Sequence, residues 1–69
     1  MKKSIGYSEN FSFEEAFKVA YEELKKQLNL EEDQVEHVIV TEIGAEMGLN
    51  ISGRRNRMFV ALEKKNFVL

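Results

Sequence analysis

Apolar and polar positions alternate in two distinct rhythms along this chain, and the change of rhythm marks its elements. In "FSFEEAFKVAYEELKKQL", Phe13, Ala16, Phe17, Ala20, Leu24 and Leu28 recur at three- and four-residue steps. That spacing predicts a helix over 13–28 with one apolar stripe, while Glu14, Lys18, Glu22, Lys25 and Lys26 fall mostly elsewhere. Ser12 followed by Glu15 reads as a capping box. Glu14 and Glu15 meet the positive end of the helix dipole, and Lys25 and Lys26 the negative end. Asn29 is the expected C-terminal cap.

After the acidic connector "LEEDQ" the rhythm changes. "VEHVIVTEI" (Val35–Ile43) is rich in β-branched residues and predicts a strand. Simple alternation sends Val35, His37, Ile39, Thr41 and Ile43 one way, and Glu36, Val38, Val40 and Glu42 the other. "RMFVALEK" (Arg57–Lys64) predicts a further strand, with Met58, Val60 and Leu62 on one face and Phe59 and Ala61 on the other. Gly44, Gly48 and Gly53 are expected to mark turns or bulges between these strands. No credible crossover helix lies there, so the pairing is expected to be antiparallel. At the start of the chain, Ile5 and Tyr7 share a face, which makes residues 2–8 a short first strand; alternation leaves its pairing direction open. Phe67 and Leu69 are apolar, so the end of the chain is expected to pair or pack.

The expected fold is α+β: a β-α-β-β chain with a three-stranded antiparallel sheet packed on one helix. Phe13, Phe17, Ala20, Leu24, Val38, Val40, Val60 and Leu62 are its expected core. One helix covers one face of such a sheet, yet both strand faces carry apolar residues. A second copy of the chain is the expected cover, giving a homo-oligomer.

Composition sharpens this picture. With 69 residues the chain is read as a single domain, 1–69, and a core of that size is marginal without a staple or a partner. Cysteine is absent and His37 is the sole histidine, so neither a disulfide nor a zinc site is expected. Glu31, Glu32 and Asp33 read as a solvated loop, because a calcium loop needs a longer ligand pattern with a glycine turn. The net charge of −2 makes a general nucleic-acid partner an unfavoured reading. No membrane-length apolar run and no leader pattern are present, so a cytoplasmic protein with no membrane partner is expected.

Candidate chemistry is sparse. No serine has an evident histidine and acid partner at a recognised spacing, Glu22 and Glu23 are adjacent on a helix and mostly solvent-facing, and "IGYSENF" holds one glycine. A non-enzyme is the expectation. "SGRRNRM" concentrates Arg54, Arg55 and Arg57 beside a turn, where guanidinium forks could grip the phosphates of RNA or a nucleotide. The plainer reading, a solvated hairpin tip, is preferred.

"IGYSENFSFEEA" resembles the signature of the dodecin family: an apolar residue, G-x-S, a short turn, then a serine, an aromatic, two acids and an alanine opening the helix. Ile5, Gly6, Ser8, Ser12, Phe13, Glu14, Glu15 and Ala16 fit it, with one extra residue in the turn. "VTEI", "VALE" and "NFVL" resemble the family's later strands and terminus. The resemblance implies a sheet wrapped on its helix, a hollow homo-dodecamer and binding of flavin or a related small planar molecule. It also implies where flavin contacts would lie. His37 falls nearest the family's stacking tryptophan, which this chain lacks, and Phe59 falls near its ring-binding glutamine. Both can stack on a planar ligand, although His37 reads first as a structural residue and Phe59 as interface or core. Flavin as a cofactor is therefore possible but not favoured, and a structural oligomer without ligand stays open.

Overall fold

A computed structural model describes residues 2–48 and 56–65. Strand β1 (Lys3–Ser8), helix α1 (Phe13–Leu28), strand β2 (Val38–Glu46) and strand β3 (Arg57–Lys64) follow in that order. The three strands form one antiparallel sheet in the order β1-β3-β2, with α1 packed on it. The α+β expectation holds. The first strand pairs with β3 rather than β2, so the last strand is central.

The helix bounds follow from its caps. Ser12 is extended, and its Oγ accepts from the Glu15 N–H at 3.2 Å. Asn29 closes the helix in the left-handed region at φ 49°, donating its N–H to the Lys25 carbonyl at 3.2 Å. The reciprocal half of the capping box is rerouted. The Ser12 N–H donates to Ser8 Oγ at 3.0 Å, and the Glu15 carboxylate accepts from Ser8 Oγ at 2.9 Å and from Asn10 Nδ2 at 3.4 Å. Ser8 Oγ also accepts from the Asn10 N–H at 3.2 Å. One buried hydroxyl thus ties the end of β1 to the first turn of α1.

Helix and sheet meet on small residues. Ala16 and Ala20 are fully buried, and Gly6 lies under them: a Cβ on Gly6 would sit 2.5 Å from the Ala20 nitrogen and closer still to the Ala16 carbonyl. Ser4 donates to the Ala20 carbonyl at 2.6 Å across the same contact. Leu24, Val60 and Leu62 complete the buried core, with Phe17, Leu28, Val38 and Met58 packed against it.

Two expected core residues are corrected. Phe13 is 45% and Val40 37% exposed. The cause is where the helix lies: α1 packs over β1 and β3, and its backbone makes no close approach to β2. Val40 sits on the helix side of β2, opposite Leu62, but beyond the helix's cover.

The simple alternation along the second strand is also corrected. Val40 pairs with Leu62 and Glu42 with Ala61, so Thr41 is the extra residue of a β-bulge. From there the side chains exchange faces. Ile43, opposite Val60, joins the helix side, and Gly44, opposite Phe59, joins the open side. The strand starts at Val38 rather than Val35 and runs through Gly44, which is strand interior and not a turn. The expected turn glycine Gly53 and the apolar Phe67 and Leu69 lie outside the described residues.

Candidate functional site

The face of the sheet that points away from α1 follows from the register. It carries Lys3, Ile5 and Tyr7 of β1, Arg57, Phe59, Ala61 and Glu63 of β3, and Ile39, Glu42, Gly44 and Glu46 of β2. Its middle is apolar and its ends are charged. Ile5 and Ile39 remain 48% and 44% exposed, because none of the described elements covers them.

The densest side-chain cluster on this face spans all three strands. Tyr7 and Phe59 are register partners, and their rings lie 6.2 Å apart at 56°. The Arg57 guanidinium lies 3.7 Å from the centre of the Tyr7 ring, a close cation–π stack. Arg57 Nε donates to Glu46 Oε1 at 2.5 Å, which fixes the guanidinium from the β2 side. That hydrogen bond raises the Arg57 pKa above its ordinary value, so the group stays charged. Phe59 reaches across its other neighbour: ring atoms lie 2.6 and 2.8 Å from where a Gly44 Cβ would be. Only a residue without a side chain leaves room for the ring there. Tyr7, Arg57 and Phe59 therefore form one contiguous aromatic–guanidinium cluster, its two rings inclined to each other, with Gly44 beneath part of it and Glu46 at its border.

The sequence-derived candidates separate on this structure. Phe59 belongs to the cluster. His37 stands just before β2, exposed, with its carbonyl accepting from the Lys65 N–H at 2.8 Å. Phe59 lies opposite Gly44, so it is six strand positions, about 20 Å, from the Lys65–His37 end of the ladder. His37 and Phe59 of one chain do not form one site. Arg57 is engaged by Tyr7 and Glu46, while Arg54 and Arg55 lie outside the described residues. Sequence reasoning passed over Tyr7, Gly44 and Glu46. The alternation that placed Ile5 with Tyr7 was visible, but their neighbours come from the register, and the bulge at Thr41 hid the place of Gly44.

Among the described residues, no group of three or more histidine, cysteine, aspartate or glutamate side chains is arranged to hold a metal ion, and no helix is long and apolar enough to cross a membrane. The acidic connector closes on itself, with the Gln34 N–H donating to the Glu31 carbonyl at 3.0 Å and the Glu31 N–H to Gln34 Oε1 at 3.3 Å. Scanned against family models, and compared with curated proteins and with solved structures, the chain matches none of them.

Proposed function

We propose that this chain is a small, non-enzymatic, homo-oligomeric protein of dodecin-like build that binds a small planar ligand on the open face of its sheet. The observation that carries this reading is the uncovered surface of Tyr7, Arg57 and Phe59. Aromatic faces and a flat guanidinium offer stacking area to any planar ring at little entropic cost, because these side chains are already held. The exposed apolar residues around them, Ile5 and Ile39, suit burial against a second copy, which would also shield the ligand from water.

The same residues argue for a ligand other than a tightly held flavin. The chain has no tryptophan. Phe59 offers no amide to the polar edge of an isoalloxazine ring, and each ring atom buried unpaired costs about 1–3 kcal/mol. A phosphate-gripping role for Arg57 is the weaker reading, since Glu46 already holds its Nε.

Titration with riboflavin and FMN, read as quenching of flavin fluorescence, tests this. Weak binding that falls further in Phe59→Ala and Arg57→Ala is expected. Tight stoichiometric quenching would mean that other residues form a true flavin site. Binding that both variants leave unchanged would remove the platform from the account.

A further inference from the structure

Phe11 is the residue whose backbone and side chain both run against expectation. It is not glycine, yet its φ is 55°, in the left-handed region that disfavours a bulky L-residue. It is aromatic, yet it is 54% exposed. The loop leaves it no alternative. Ser8 Oγ takes the N–H groups of Asn10 and Ser12 on either side of it, and the Phe11 N–H itself donates to the Ser8 carbonyl at 3.4 Å. A strained residue held by its surroundings, with its ring turned outward, is a displayed side chain.

At the far end of α1 lies a small hollow of about 50 Å³ lined by Tyr21, Leu24, Leu28, Leu30 and Val38. Lys25 and Glu36 stand at its rim, and Glu36 is engaged by Lys64 at 3.7 Å and by Gln34 Nε2 at 3.2 Å. The hollow is apolar within and charged at the edge, the form that accepts an aromatic anchor. Phe11 cannot fill the hollow of its own chain, because the helix between them is 16 residues, or about 24 Å, long.

We infer that Phe11 of one copy seats in the Tyr21–Leu24–Leu28–Leu30–Val38 hollow of the next, so that copies join head to tail along their helices. This rests on the assembly reading above and names its contact. Charge favours the arrangement: Glu9 and Glu14 flank Phe11, Lys25 lines the hollow, and Lys26 lies on the same last turn of α1. Both sides of the contact also leave aromatic surface uncovered, Phe11 at 54% and Tyr21 at 44% exposed, which seating one copy on the next would bury. Knob and hole are different surfaces, so the contact is heterologous: it closes into a ring or runs on, and it does not make an isolated two-fold pair.

The test is a complementation. Phe11→Asn removes the knob and suits the left-handed backbone; Leu30→Asp charges the hollow, and Tyr21→Arg does so from its helix side. Circular dichroism selects the variants that keep the fold. Each knob or hollow variant alone should need about tenfold or more concentration to assemble. Mixed together, Phe11→Asn supplies an intact hollow and Leu30→Asp or Tyr21→Arg an intact knob, so the mixture should form a hetero-association that neither shows alone. A wild-type chain that stays monomeric defeats the assembly reading and this contact with it. Wild-type-like assembly of the folded single variants, or a mixture no better than its parts, defeats this contact and leaves assembly standing.

Discussion

Ser8 joins a strand to a helix through one oxygen atom. Its Oγ donates to Glu15 and accepts from two backbone N–H groups, and the residue is 1% exposed. Ser8→Ala removes that hydroxyl from three partners, of which Glu15 and Asn10 are exposed and can turn to water, so it should destabilise the fold by about 1–2 kcal/mol. A lowered urea midpoint with an unchanged slope is the expected reading; an unshifted midpoint would mean that the loop finds other partners. Gly6 works by absence. A methyl group there would meet the backbone of α1 rather than a side-chain tip, and backbone cannot yield without moving the helix. Gly6→Ala should therefore cost at least the roughly 1–3 kcal/mol of an overpacked core. Thermal unfolding measures it, and a variant as stable as the parent would show that α1 does not pack this closely on β1.

The helix was the most legible element, because its signals are local: a cap at each end, charges that oppose the dipole and a stripe at helical spacing. Which part of that stripe would be buried was not legible. Phe13, Phe17 and Tyr21 stack in a row, with ring centres 5.7 and 6.1 Å apart, but only Phe17 packs against the core. Being half-buried, Phe17→Ala should cost about 2–3 kcal/mol, below the roughly 3–5 kcal/mol of a fully buried phenylalanine. A cost near zero in chemical denaturation would place the row outside the core altogether. The second strand was legible as a strand and misread as a pattern. One residue, Thr41, has no register partner on β3, and everything after it changes face. No property of a threonine in "IVTEIG" announces a bulge, since the extra residue is defined by the ladder opposite. Deleting Thr41 should remove the bulge and leave Glu42, Ile43 and Gly44 opposite Ala61, Val60 and Phe59, as in the parent. Amide exchange across 42–46 should then stay close to the parent's; exchange that accelerates along the whole stretch would mean that Thr41 is a paired residue of the ladder and would contradict the bulge. The candidate site was half legible for the same reason. Phe59 could be singled out by type, but Tyr7 and Gly44 become its neighbours only through pairing.

At the scale of the whole molecule, too little is buried for the apolar surface the chain carries. Among the described residues, five hydrophobic ones form the buried core, while Ile5, Ile39, Ile43, Phe11, Phe13 and Tyr21 are each more than two-fifths exposed. They lie on both sides of the sheet, on the helix and in the loop that precedes it. A core this small is marginal in isolation, and the proposed burial of that surface between copies would supply the stability the isolated fold lacks. Assembly is thus the central claim: the proposed roles of the Tyr7, Arg57 and Phe59 cluster and of the Phe11 contact both take their meaning from it. Sedimentation velocity of the wild-type chain at micromolar concentration tests it most directly. The account predicts a defined species several times the mass of the 8.0 kDa chain, and a single folded species at the monomer mass across that range would contradict it.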